Sequence, residues 1–187
     1  TENYNGSVIV SVSVSDANEI DSDSFILTVN PVNDAPVLAS VSDISFEEDS
    51  SLSITLDAND IDGDEITYSI TEGSDITAIL DGSNITFSAP ANFNGSEGFT
   101  ASVSDGFLSA STSFTVTVTA QNDAPVANAG VAETNEDQSV VISLTASDTD
   151  NNILTYSLHT EASHGSVFIE GSLATYTPNA NFNGEDS

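Results

Sequence analysis

The sequence predicts an all-β protein built from tandem antiparallel β-sandwich modules of about 89 residues, and three observations carry that prediction. The first is repetition. Asn33-Asp34-Ala35-Pro36-Val37 returns unchanged as Asn122-Asp123-Ala124-Pro125-Val126, and Asn92-Phe93-Asn94-Gly95 is matched 89 residues later by Asn181-Phe182-Asn183-Gly184 and 89 residues earlier by Asn3-Tyr4-Asn5-Gly6. A period this long exceeds the roughly 20–50 residues of solenoid repeats and suffices for a small independent domain. The second is period-two alternation of apolar residues with Ser and Thr, the mark of half-buried strands, with no helical period over any useful length. The third is turn chemistry at intervals of roughly 8–12 residues, which gives about seven short strands per module.

Aligning the copies divides the chain into residues 1–32, the C-terminal part of a first module; 33–121, a complete module; and 122–187, the N-terminal part of a third. Residues 1–32 carry the last two strands of their module. In the complete module Leu52, Ile54 and Leu56 alternate with polar neighbours and form one strand. Ile76 to Leu80 and Ile85 to Phe87, joined by Asp81-Gly82-Ser83-Asn84, read as a hairpin whose tip is expected away from either end of the sandwich. Phe99, Ala101 and Val103, then Phe114, Val116 and Val118, supply the closing pair. In the third module Val140, Ile142 and Leu144 repeat the Leu52 strand, and Val167 to Tyr176 with Glu170-Gly171-Ser172 repeats the hairpin. The chain opens at Thr1 inside a repeat and stops in the same loop in which it starts. It therefore reads as a piece of a longer array, or as a unit that assembles head to tail with one chain donating strands to the next.

There are 30 Asp and Glu and no Lys or Arg, for a formal charge of −30. Such a chain cannot neutralise a nucleic-acid backbone or an anionic lipid surface, since both need basic side chains. No Lys or Arg salt bridge can form, and two like charges about 4 Å apart repel by roughly 4 kcal/mol at an effective dielectric near 20. Clustered carboxylates must take an external cation or stay apart in water. Disorder is disfavoured by 38% hydrophobic residues in clear alternation. Cysteine is absent, so no thiolate or disulfide chemistry is available, and no apolar run is long enough for membrane insertion of this segment.

Strand direction alternates in an antiparallel sandwich, so loops can be assigned to its two poles. At one pole of the complete module lie the incoming linker (Asn33, Asp34), the loop Asp57 to Glu65, and Asp105-Gly106. At the other lie the outgoing linker (Asn122, Asp123), the loop of Glu47, Glu48 and Asp49, and the loop Asn92 to Glu97. Asp60 and Asp62 return as Asp148 and Asp150 in the next copy, 88 residues on, and Glu48 and Asp49 as Glu136 and Asp137. Oxygen clusters without His or Cys suit a hard cation, and calcium accepts six to eight oxygens in flexible geometry.

The Asn-Asp-Ala-Pro-Val linkers, Asp60-Ile61-Asp62-Gly63-Asp64, the Asn-x-Asn-Gly loops and Val103-Ser104-Asp105-Gly106 resemble bacterial cadherin-like tandem repeats over the whole chain. The resemblance implies Ig-like/cadherin-like Greek-key sandwiches, a secreted or surface-anchored adhesin, and calcium held between modules to stiffen the array. It carries the ligand positions onto Asn33, Asp34, Asp60, Asp62 and Asp105 at one seam, and onto Glu48, Asn122, Asp123, Asp148 and Asp150 at the next. The Asp-Arg-Glu element of animal cadherins has no counterpart, and the Asn-x-Asn-Gly loop stands in its place.

Asp60-x-Asp62-x-Asp64 is not an EF-hand, because Glu65 and Thr71 occupy the positions that need Gly and a bidentate Glu. His159 and His164 fall in a Ser- and Gly-containing stretch and read as exposed positions, and Glu19, Asp21 and Asp23 read as a solvated turn. No Ser has a recognisable His base, and the acids are too many to single out a glycosidase pair. The expected function is a non-enzymatic, calcium-stiffened extracellular spacer or adhesive segment. The alternative is a calcium-dependent module binding polysaccharide or other cadherin-like domains, appended to a secreted hydrolase.

Overall fold

The computed structural model describes residues 3–187, which group into two compact units divided between Thr119 and Ala120. The first unit begins with β1 (Gly6–Ser15) and β2 (Ile20–Val29), an antiparallel hairpin that is a sheet by itself. Asp16 closes the turn, its Oδ1 accepting the backbone N–H groups of Asn18 and Glu19 at 2.8 Å each. Asp21 and Asp23 are not in that turn, contrary to the sequence reading. They are strand residues of β2, paired with Val14 and Val12, because β1 holds its partner in register as far as Ile20.

Nine further strands complete this unit: β3 (Val37–Leu38), β4 (Ile44–Glu47), β5 (Ser51–Thr55), β6 (Ala58–Asn59), β7 (Thr67–Ile70), β8 (Thr77–Asp81), β9 (Asn84–Ser88), β10 (Gly95–Ser104) and β11 (Ser109–Thr119). One sheet runs β4-β11-β10-β7, a second β5-β9-β8, and β3 pairs with β6. Apolar residues of the two larger sheets meet in one core, where Phe87 sets its edge against Phe99 (5.2 Å, 70°) and Phe114 (6.0 Å, 86°). Such edge-to-face contacts are the favoured arrangement of aromatic quadrupoles. The outward faces explain the wealth of Ser and Thr in an almost uncharged strand surface. Hydroxyls pair across the ladder, Ser96 with Thr117 at 2.9 Å and Thr100 with Ser113 at 2.9 Å.

Two features depart from the sequence expectation. β4 runs parallel to β11, not antiparallel. Because β4, near the start of the module, and β11, its last strand, run the same way, the chain enters at one end and leaves at the other, as a tandem array requires. The β8–β9 turn, built on Gly82 (φ 59°), also lies beside the acidic loop and not away from it. Leu56 donates its N–H to Ser83 O at 2.8 Å, and the Thr55 hydroxyl donates to Asn84 Oδ1 at 2.6 Å. Pairing β9 with β5 in this register puts the tip next to Asp57.

The second unit comprises β12 (Val126–Ala127), β13 (Val140–Ser143), β14 (Ala146–Ser147), β15 (Gly165–Glu170) and β16 (Leu173–Pro178). β12 pairs with β14 as β3 does with β6, and β13-β16-β15 is the counterpart of β5-β9-β8. The Asn-x-Asn-Gly loops share a backbone device: Asn3, Asn92 and Asn181 sit at φ 61°, 57° and 56°, left-handed positions that Asn tolerates better than most residues. Asp49 accepts the N–H of Asn92 at 3.0 Å, and Asp137 that of Asn181 at 2.9 Å. These two carboxylates hold the loop in place.

Candidate metal centre

The linker and the acidic loop of the first unit are tied together by backbone-to-carboxylate bonds that the Asp-x-Asp spacing creates. Asp60, just after β6, turns its Oδ1 back to accept the N–H groups of Asp62 at 2.8 Å and Asp64 at 3.4 Å. Gly63 (φ 80°) makes that tight loop possible without strain. Asp62 then reaches the linker, accepting the N–H of Asp34 at 2.7 Å. Asn33 donates its amide to Asp105 Oδ2 at 2.8 Å and to Asp34 O at 3.1 Å. Residues 28 and 72 positions apart in sequence therefore meet at one end of the module.

Within this assembly the carboxylates of Asp60, Asp62 and Asp64 each offer an oxygen within 4.8 Å of the others. Asp60 is only 8% exposed, and its Oδ2 is buried with no hydrogen-bond partner among the described residues. An unpaired buried carboxylate oxygen beside two further carboxylates, in a chain without Lys or Arg, is costly unless a cation completes it. The donor set is all oxygen and matches a hard divalent ion. Asp64 belongs to the cluster although the resemblance implies only Asp60 and Asp62 as ligands in this loop. Its spacing from Asp60 and Asp62 was the signal available. A cleft of about 250 Å³ brings Tyr4 and Asn5 of the preceding Asn-x-Asn-Gly loop against Asp34 and Asp62.

The second unit repeats the wiring with one change. Asp150 accepts the N–H of Asp123 at 2.7 Å, and Asp148 Oδ1 accepts that of Asn152 at 3.1 Å. Asn152 stands where the first unit has Asp64, and its amide donates to Asn122 Oδ1 at 2.9 Å. One carboxylate is thus replaced by an amide. Glu48 belongs to the first unit, 5% exposed, with its N–H donated to Thr119 O at 2.9 Å at the end of β11. Glu97, grouped by sequence with the acids of that pole, is committed elsewhere. Its carboxylate accepts the N–H groups of Ser74, Asp75 and Ile76 at 2.8–3.3 Å. Asp186 does the same for Ser163 and His164 at 2.9 Å.

The Asp105 carboxyl is held below its ordinary value by the N–H of Leu108, the amide of Asn33 and the N–H of Phe107. For Asp186 partial burial acts upward, but hydrogen bonds from His164, Tyr176 and Ser163 outweigh it and leave the group lowered. A carboxyl lowered by folding stabilises the native state above its unfolded pKa, about 3.9, and that contribution is lost as pH falls through the lower native value. The melting temperature should therefore drop as pH falls below about 4. Asp105→Asn should flatten the profile, and an unchanged profile in that variant would rule the linkage out.

A family profile described as a bacterial Ig domain matches residues 33–119 and again 122–187. No curated protein matches the chain significantly. Among solved structures, the extracellular cadherin domains 1–5 of protocadherin gamma B2 align at 18% identity over 94% of this chain and 40% of that one, with a TM-score of 0.55. Human protocadherin-24 EC1-2 aligns at 17% identity, over 80% of this chain and 79% of that one, with a TM-score of 0.46. An endo-fucoidan hydrolase of glycoside hydrolase family 107 aligns at 18% identity over 95% of this chain and 30% of that one, with a TM-score of 0.38. The chain spans less than half the length of the hydrolase and of protocadherin gamma B2.

Proposed function

The chain belongs to the bacterial Ig-domain family, and from that premise we propose that it is a calcium-binding spacer or adhesive segment of an extracellular protein, with 33–121 as its complete module. Bacterial Ig and cadherin-like sandwiches are as a rule non-catalytic, extracellular or surface-exposed modules of spacing and adhesion, and this chain is a tandem array of such sandwiches. No helix among the described residues is long and apolar enough to cross a membrane.

The observation that supports calcium is the cluster of Asp60, Asp62 and Asp64 with the buried, unpartnered Oδ2 of Asp60. An ion there is ligated by carboxylates on a loop already bonded to the linker, so binding stiffens the segment on which the next sandwich is carried. Apparent affinity is expected at about 0.1–1 mM, the range of extracellular modules. The site at Asp148 and Asp150, with one charge fewer, should bind more weakly. The test compares thermal melting in millimolar calcium, in chelator, and in sodium chloride of equal ionic strength. A calcium-specific rise is expected, and a sodium chloride curve that overlays it would reduce the effect to screening.

A further inference from the structure

We propose that the outer edge of β11, residues 109–113, is a strand-addition site for an extended polypeptide segment that carries Lys or Arg. Calcium plays no part in it. β11 has β10 on one side over nearly its whole length, but β4 lies on the other side only from Val116 to Thr119. Upstream of Val116 no strand among the described residues covers that side. Backbone polar groups alternate in direction along an antiparallel strand, so every second residue turns its N–H and C=O away from β10. Thr115 and Thr119 fix the phase: Asp43, just before β4, accepts the N–H of Thr115 at 2.7 Å, and the Thr119 carbonyl accepts that of Glu48 at 2.9 Å. Ser111 and Ser113 are in step with them. Their N–H and C=O groups therefore point off the free edge, where no group among the described residues bonds to either N–H.

The equivalent strand β2 closes the same edge. Its register with β1 repeats that of β11 with β10 at an interval of 89 residues, so Ser22 and Ser24 are the counterparts of Ser111 and Ser113. There Asp21 Oδ1 accepts the N–H of Ser22 at 2.9 Å, and Asp23 Oδ1 accepts that of Ser24 at 2.7 Å. Each carboxylate caps the outward donor of the next residue and sets a charge on the edge, one of the means by which strand edges are kept from pairing. In β11 the corresponding residues are Ala110 and Thr112, and the two donors are left uncapped. Residues 109–113 hold no charge, no Pro and no interruption of register. Two copies of one hairpin thus differ in whether this edge is open.

Charge decides the occupant. A second copy would bring another formal charge of −30 to the edge with no Lys or Arg to offset it, so pairing of like edges is opposed. A basic segment is drawn to the same surface, and main-chain hydrogen bonds then hold it as an added strand. Asp43 marks where its charge goes, since one carboxylate oxygen holds Thr115 and the side chain is exposed. Beside it a depression of about 420 Å³ reaches across to β10, with Gly98, Thr100, Ser113 and Thr115 in its lining. Gly98, paired with Thr115, leaves the outer face without a side chain at that point, and a Cβ there would touch nothing. That gap suits the aliphatic stem of a Lys or Arg whose head meets Asp43.

The test uses the intact chain and three end-capped peptides: KTVTVTK, KTPPPTK of equal charge but without central ladder donors, and ETVTVTE. Amide exchange at Ser111 and Ser113 should slow with KTVTVTK. KTPPPTK should give no protection there, and ETVTVTE should bind at least about tenfold more weakly than KTVTVTK because like charges meet. Thr112→Asp, which copies the cap of β2, should abolish the protection. Ser111→Pro removes one outward donor at an edge, where Pro is tolerated, and should do the same while exchange at Val116 and Val118 stays slow. Asp43→Asn keeps an oxygen for the N–H of Thr115 but loses the charge, so peptide binding should weaken and depend less on salt. Equal protection by KTVTVTK and KTPPPTK overturns the proposal, because it reduces the contact to attraction between net charges, and so does protection that survives Ser111→Pro. Protection of Ser111 and Ser113 that rises with protein concentration in the absence of peptide overturns it in favour of a second copy.

Discussion

Asp60→Asn should raise the stability of the calcium-free module while removing most of its response to calcium. The two effects have opposite sign and a single origin. In the free protein the amide oxygen can still accept the N–H groups of Asp62 and Asp64, so the loop keeps its shape. The amide nitrogen replaces the buried oxygen that has no partner, and one of three mutually repelling charges disappears. Asp62 and Asp64 are exposed, so screening reduces the Coulomb gain well below its value at low dielectric, to about 1 kcal/mol. Calcium, by contrast, loses an anionic ligand at the centre of the cluster, which should weaken binding at least tenfold, or about 1.4 kcal/mol. Calorimetric titration with paired melts in chelator and in calcium measures both. Glu72→Ala, on the loop after β7 and outside the cluster, serves as the control. If the Asn variant titrated like the parent, Asp60 would not be a ligand.

The second large effect concerns the core. Phe87→Ala should destabilise the complete module by about 3–5 kcal/mol. Phe87 is fully buried at the crossing of the two sheets and meets both Phe99 and Phe114. Removing it deletes two edge-to-face contacts and leaves a cavity between strands that the ladders hold apart, so collapse cannot refill it. With total stabilities of small domains near 5–15 kcal/mol, the variant should be close to unfolding at ambient temperature. Denaturant titration followed by far-ultraviolet circular dichroism checks this. A loss below about 1 kcal/mol would show that the two sheets relax around the gap and are not held as the packing implies.

The strands were legible because their signal is local. Phe114, Val116 and Val118 alternate within one strand, and the repetition of Asn92-Phe93-Asn94-Gly95 marks the same loop in each copy whatever surrounds it. The left-handed Asn at the head of that loop explains why the motif is kept as a unit. The parallel β4–β11 pair was less accessible, since period two gives faces and not directions. Glu97 shows the same limit for charge. Its sequence places it among acids, yet its carboxylate is saturated by three backbone donors more than twenty residues away.

By itself the sequence determined the tandem sandwich architecture, the strands β5 and β8 to β11 with their counterparts β13, β15 and β16, and the all-oxygen chemistry of the candidate site, because periodicity, repetition and the absence of basic residues are properties of the chain alone. Only the tertiary structure decided which acids converge. Asp60 is buried and lacks a partner for one oxygen, Asp64 joins it, Asn152 breaks the same set in the second unit, and the β8–β9 turn lies beside the acidic loop. Convergence depends on strand direction and on hydrogen bonds that span up to 72 residues, as from Asn33 to Asp105. Those are fixed by how two sheets register against each other, which no local pattern encodes.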